Sequence, residues 1–174
     1  MDGGPEREGQ RSRPALEQAS LYDTIDSLQL GPAISIPLEA TLRQAVETLQ
    51  REHIGCVLVV GAEGTLAGIF TERDLLTRVA GRSLDWAQER VCDYMTRDPE
   101  TLQRDHRIAW ALNFMAVGGY RHVPLTDEAG RPTGVVSIKD IVALIVDLFP
   151  AQVLNLPPDP RRKPGSDNVG GGED

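Results

Sequence analysis

The sequence predicts an α/β fold in which two β-α-β-β-α units pack through their sheets with pseudo-twofold symmetry. Three observations carry that prediction. The chain matches itself without a gap at an offset of 66 residues from Ser35 to Ala80. Within each copy, apolar residues at i, i+3, i+4, i+7 alternate with short continuous apolar runs, the marks of a core-facing helix and of a buried strand. Each copy spans only about 50 residues, below the size at which one aliphatic core is comfortably stable, so the copies need each other.

The elements follow in order. Ile34-Ser35-Ile36 reads as a short strand, matched by Glu100-Thr101-Leu102. A helix comes next: Leu42, Ala45, Val46 and Leu49 share one face, as do Ile108, Ala111, Leu112 and Met115. Thr41 with Gln44 three residues on makes a capping box for the first of these. Cys56 to Val60 and His122 to Thr126 read as buried strands, and Gly64 or Gly130 turns the chain back. A second strand, Leu66 to Phe70 or Thr133 to Val136, runs into a second helix starting at Thr71 or Ser137. Only five pairs are identical across the offset (Ala45/Ala111, Val57/Val123, Gly64/Gly130, Gly68/Gly134, Asp74/Asp140), so residue class carries the match. The last helix, with Ile141 to Val146 apolar nearly all round, leaves surface for a homodimer.

Composition narrows the function. The 174 residues are 40% hydrophobic but only 5% aromatic, and 26 acidic residues against 18 basic give a charge of −8. That balance argues against broad binding of nucleic acid or of an anionic membrane. Cys56 and Cys92 are too few for a disulfide framework, and His53, His106 and His122 show no metal-ligand spacing. No apolar run is long enough to span a bilayer. Residues 1–14 lack the apolar segment of a secretory leader, so a cytoplasmic location is expected. Residues 1–20 hold five Gly or Pro and seven charges, and residues 151–174 hold eight Gly or Pro. Neither stretch can bury enough surface to offset its ordering entropy. The expected division is a disordered tail 1–20, a first repeat 21–83, a second repeat 84–150 and a disordered tail 151–174. The basic Arg161-Arg162-Lys163 reads as solvated charge.

The most specific signal is the junction of second strand and second helix. It reads Gly68-Ile69-Phe70-Thr71-Glu72-Arg73-Asp74 in the first copy and Gly134-Val135-Val136-Ser137-Ile138-Lys139-Asp140 in the second. Taken singly, a hydroxyl residue with a carboxylate three positions on is a helix cap. The same geometry also suits a nucleotide. The helix N-terminus and the Thr71 or Ser137 hydroxyl meet phosphate, Arg73 or Lys139 supplies charge, and Asp74 or Asp140 accepts from the two ribose hydroxyls.

With its 66-residue duplication, the strand Arg121-His122-Val123-Pro124-Leu125 and its paired junctions, the body over 21–149 resembles a pair of cystathionine β-synthase (CBS) domains. Val91-Cys92-Asp93-Tyr94-Met95-Thr96 is similar to the opening of a family repeat, and Ile25-Asp26-Ser27-Leu28 is a weaker version. The resemblance implies a non-catalytic regulatory module, requiring no cofactor, whose inter-repeat cleft takes AMP, ADP or ATP, or less often S-adenosylmethionine or NAD. It implies that Asp74 and Asp140 hold ribose and that Thr71 and Ser137 hold ribose or phosphate. Backbone around Ile36 and Leu102 would flank adenine. Arg121 and His122, followed by Pro124 on the same strand, would approach phosphate in the second site. Gly55 and Cys56 stand at the matching places of the first copy, so the Ser137/Asp140 site is expected to bind phosphorylated ligands better.

Two other functions stay open. A dimerisation or interaction scaffold with vestigial sites would respond to no nucleotide. An enzyme would need a base beside the phosphate, for which His122 and the two aspartates are the candidates, with no orienting partner in view. Cys56 with His53 reads as core packing rather than a nucleophile pair. Trp86 and Trp110 read as packing residues, Gly118-Gly119 as a helix end, and Arg78, Arg82 and Arg90 as solvated charges. The regulated partner is not written in the sequence.

Overall fold

A computed structural model describes residues 21–151 and 155–156. The expected tails, 1–20 and most of 151–174, lie outside the described residues. The strands are β1 (Ser35–Pro37), β2 (Cys56–Val60), β3 (Leu66–Thr71), β4 (Thr96–Arg97), β5 (His122–Thr126) and β6 (Pro132–Ser137). The helices are α1 (Leu42–Glu52), α2 (Glu72–Asp74, continued as a π turn over Leu75–Val79), α3 (Ile108–Gly118) and α4 (Ile138–Leu148).

The first lobe is a four-stranded sheet ordered β1-β2-β3-β4, with β1 parallel to β2 and the rest antiparallel. The second is the β5–β6 hairpin, beside which Leu102 makes an isolated parallel bridge to Leu125. Ile36 pairs with Val59 and Leu102 with Leu125, so both pairings sit at the 66-residue offset. Both hairpins also slip register at one place, between Val59 and Val60 and between Leu125 and Thr126. The hairpin turns hold Gly64 at φ +77° and Gly130 at φ +74°, a left-handed conformation that a side chain resists.

Alternation along β2 explains why it is buried on both faces. Val57 and Val59 point to the first lobe's core with Leu42, Ala45 and Phe70. Cys56 and Leu58 point the other way, where with Ile69 they meet Val135 of the second lobe. The sheets therefore face each other across a seam, which a backbone hydrogen bond from Leu66 N–H to the Gly130 carbonyl also crosses (2.9 Å).

Each lobe is closed by the segment leading into the other repeat. Ile25, in a 3-10 turn ahead of the first repeat, is fully buried in the second core. Val91, its counterpart 66 residues on, is fully buried in the first core. The backbone repeats the exchange: Ile25 N–H donates to the His106 carbonyl (2.8 Å) and Val91 N–H to the Ala40 carbonyl (2.9 Å). Bridges Thr24 to Arg107 and Thr41 to Arg90 complete it. Burial of one such side chain stabilises by about 1.5–3 kcal/mol, so neither core is complete without chain from the far side.

The second helix of the first repeat departs from the expected regular helix. Ala80 N–H donates to the Leu75 carbonyl, five residues back (2.8 Å), which is the π turn. Trp110, expected to pack, is 55% exposed instead, because the α3 face toward the core is filled by Ile108, Ala111 and Met115.

Candidate functional site

Both strand-to-helix corners form the predicted capping box. At the first, Thr71 N–H and Oγ1 donate to Asp74 Oδ2 (2.9 and 2.7 Å), and Asp74 N–H returns to Thr71 Oγ1 (3.2 Å). At the second, Ser137 N–H and Oγ donate to Asp140 Oδ2 (2.7 and 2.6 Å), and Asp140 N–H reaches Ser137 Oγ at 3.4 Å. The cap thus uses the very hydroxyls and carboxylates that the sequence reading offers to a ligand, and in each box it engages one carboxylate oxygen, Oδ2.

The expectation of free helix N–H groups for phosphate needs correction. Beyond the groups inside the box, Glu72 N–H donates to the Gly55 carbonyl (3.1 Å) and Ile138 N–H to the Arg121 carbonyl (2.9 Å). Each helix start is thereby tied to the residue just ahead of the neighbouring strand. The Glu72 and Ile138 N–H groups are therefore already used and not free for an anion.

A cavity of about 490 Å³ opens on the first corner, within the range of small-ligand pockets. Of the residues singled out in the sequence, Thr71, Arg73, Asp74, Arg121, His122 and Pro124 line it. Ser137, Lys139 and Asp140 do not; they belong to the other corner. Ile36 and Leu102 do not line it either, because their side chains are packed into the two lobe cores. The sequence reading set Arg121 and His122 beside Ser137 and Asp140. His122 does pair with Ser137 along β5–β6 and Ile138 N–H donates to the Arg121 carbonyl, but the cavity that both residues line is the one on the Thr71/Asp74 corner. The start of β5 lies over Gly55 at the start of β2, so these residues face the Thr71/Asp74 cleft.

Asp74 is the buried carboxylate of the pair, at 6% exposure. Its Oδ1 takes Arg78 Nε at 3.3 Å and Thr96 Oγ1 at 3.4 Å, both long enough to yield to a better partner. Arg78, read from sequence as solvated charge, is instead a wall of the cleft. Its guanidinium also donates to the Tyr94 carbonyl (3.0 Å), to the Met95 carbonyl and to Thr96 Oγ1 (3.3 Å). It clamps the corner to β4, the strand leading into the second repeat.

The longest run of cleft residues missed by sequence reasoning comes from that strand and the turn after it: Thr96, Arg97, Asp98, Pro99 and Glu100. The Met95-Thr96 match to a repeat opening was the available signal, because an opening segment that is exchanged between lobes lands on the other repeat's corner. Ile69 supplies an apolar wall, and Tyr120 stands at the far rim. Burial holds the His122 imidazole below its ordinary pKa, with Arg121 adding to this and Glu72 and Asp140 opposing it. Cys56, beside the seam, has its thiol pushed up to about 12 by burial and by Glu72, which makes it a poor nucleophile. Among the described residues no cluster of His, Cys, Asp and Glu is fit to hold a metal ion, and no helix is long and apolar enough to cross a membrane.

Comparison with known proteins agrees with this architecture. The family model for the CBS domain matches residues 27–81 and 91–147. An uncharacterized 17.7 kDa protein of Acidianus ambivalens is 30% identical over 112 residues, 64% of this chain and 66% of its own length. The meiotically up-regulated gene 70 protein of Schizosaccharomyces pombe is 30% identical over 122 residues, 70% of this chain but 17% of that one, so this chain spans a small part of its longer relatives. Among solved structures, a CBS-domain-containing protein from Agrobacterium tumefaciens superposes with a TM-score of 0.62 at 31% identity, over 69% of this chain and 97% of that one. A CBS domain protein from Pyrobaculum aerophilum, solved in complex with AMP, gives a TM-score of 0.65 at 25% identity, over 73% and 98%. With the duplicated unit, the facing sheets and the paired caps already in view, the chain belongs to the CBS-domain family and carries two of its domains in tandem.

Proposed function

We propose that this chain is a non-catalytic regulatory module that binds an adenosine nucleotide (AMP, ADP or ATP) in the cleft on the Thr71/Asp74 corner. The single observation that carries the reading is the buried Asp74 carboxylate, its Oδ1 held only by long contacts, in a 490 Å³ cavity that Arg73, Arg121 and His122 also line. Ribose hydroxyls donating to Asp74 Oδ1 would replace its long contacts to Arg78 and Thr96. Ile69 and Pro124 offer apolar surface to the base, and the arginines offer charge to phosphate. The AMP complex of the Pyrobaculum aerophilum relative supports the ligand class.

The two repeats, 21–83 and 84–150, act as one unit in this proposal, because each core is closed by the other's leading segment. A ligand bridging them shifts their arrangement by its differential affinity for the two states, and a partner protein reads the result. Homodimerisation belongs to the same proposal: Val117 on α3 is 81% exposed, and Val142 and Ile145 on α4, with Phe149 just past its end, add an apolar stripe left exposed among the described residues. A monomer in sedimentation at micromolar concentration would remove that part.

Calorimetric titration of AMP, ADP and ATP into wild type, Asp74→Ala and Asp140→Ala tests the core of it. The expected result is loss of binding in Asp74→Ala and a smaller effect of Asp140→Ala, the reverse of the order expected from sequence. A second reading, an interaction scaffold without ligand, is favoured by one observation: both aspartates already satisfy a cap. It predicts no thermal shift with any nucleotide, whereas ligand at 100 times its dissociation constant stabilises by about 2.7 kcal/mol.

A further inference from the structure

The two repeats differ at the seam end of their first hairpin strands, where Gly55 of the first answers Arg121 of the second at the 66-residue offset. A Cβ on Gly55 would stand 3.0 Å from both Cε1 and Nε2 of His122 and 3.4 Å from Oε2 of Glu72. The bare glycine is thus a common floor for an imidazole from the second repeat and a carboxylate from the first, and all three line the cleft. Neither side chain has a hydrogen bond or ion pair with a described residue.

The charges facing His122 come from each element around it. Glu72 at the start of α2 and Asp140 on α4 favour the imidazolium, Arg121 on its own strand disfavours it, and burial disfavours it most. Its ladder partner Ser137 and its neighbour Cys56 bring no charge near pH 7. Burial thus favours the uncharged ring without ligand, with Glu72 and Asp140 as the carboxylates and Arg121 as the cation that act on it. A phosphate dianion arriving here meets Arg73 and Arg121 but also the Glu72 carboxylate and an uncharged ring, and a proton on the ring turns it into a further cation that offsets Glu72.

Resting on the nucleotide reading above, we propose that phosphate binding in this cleft draws a proton from solvent onto His122, and that Glu72 sets the need for it. The proton adds to the unprotonated ring nitrogen, and no other bond changes. Coupling of this kind makes affinity for phosphorylated ligands rise as pH falls, while adenosine, which lacks the dianion, is indifferent.

The test is calorimetry on the full chain with AMP and with adenosine, at pH 6, 7 and 8, using two buffers of different ionisation enthalpy at pH 7. For wild type the AMP enthalpy should change with buffer, and AMP affinity should rise by about tenfold for each unit by which phosphate raises the histidine's pKa. Adenosine should show neither effect. His122→Gln should abolish the buffer dependence that belongs to the ring. Phosphate's own second ionisation, near pH 6, is common to both proteins and subtracts out. The exposed Glu72→Gln is an independent variant that leaves the seam packing alone, and it should tighten AMP at pH 8 and flatten the pH profile. AMP binding with a buffer-independent enthalpy, or proton uptake unchanged in His122→Gln, overturns this inference and leaves the nucleotide reading standing. Absence of binding by both AMP and adenosine overturns the two together.

Discussion

At Thr71 the cap opens a three-residue α turn that passes into a π turn, whereas at Ser137 an equally formed cap opens eleven residues of regular helix. The difference traces to one position. Arg78 stands where the second repeat has Leu144, which is buried in its core. A regular helix from Thr71 would aim the Arg78 guanidinium into the first core. The extra residue of the π turn rotates the face by one place, so that Val79 enters the core at 1% exposure while its counterpart Ile145 stays 42% exposed. Arg78 is released toward Asp74 and β4. The π turn has a cause here: it keeps a cation out of the core and delivers it to the cleft.

The second contrast lies on the strand before each cap. Above Gly68 sit the Met95 sulfur and the Thr96 backbone carbonyl, because β4 pairs along β3. Above Gly134 there is no such strand among the described residues. The Arg104 guanidinium lies there instead, donating to the Thr133 carbonyl (2.7 Å). One corner gains a wall of backbone and so a cleft, and the other gains a flexible side chain.

The largest expected effect comes from breaking the exchange that pairs the lobes. Ile25→Ala should destabilise the whole pair by about 2–5 kcal/mol in urea unfolding, although Ile25 precedes the segment matched to the family. A loss below about 1 kcal/mol would mean that the leading segment is an optional attachment. Next comes the glycine pair. Gly68→Ala places a Cβ 2.8 Å from the Thr96 carbonyl oxygen and should cost about 1–3 kcal/mol, with loss of ligand binding as β4 moves. Gly134→Ala meets Arg104 Nη2 at 3.1 Å, a side chain that can swing aside, and should stay within about 0.5 kcal/mol. Equal costs at the two sites would dissolve the contrast.

Arg78→Leu makes the first corner resemble the second. It should cost about 1 kcal/mol, since its bonds to carbonyls are charge-assisted but the side chain is 43% exposed, and it should loosen β4, read as faster amide exchange at Thr96. The smallest effect is chemical. With its thiol at about 12, Cys56 is neutral at pH 8, so a thiol reagent should modify Cys92 alone in the native protein and both cysteines in denaturant. Rapid native labelling of Cys56 would show that the seam opens freely.

Much of this molecule is legible without coordinates. The hairpins run where the apolar runs are, Cys56–Val60 and His122–Thr126, because a strand buried on both faces leaves a continuous signal. The Thr41, Thr71 and Ser137 caps form as written, because a cap is a contact over three residues. The π turn was not legible: a 66-residue register carried through Arg78 and Leu144 hides a one-residue slip that only the core's demand for Val79 imposes.

By itself, the sequence determined the duplicated unit, the alternation of strand and helix, and the two capped corners, all of which rest on contacts between near neighbours in the chain. Only the tertiary structure decided which residues line the cleft on the Thr71/Asp74 corner. Those contacts span the seam, where β5 lies over Gly55 and β4 crosses to the other lobe. Their partners are tens of residues apart, and local periodicity carries no information about such pairings.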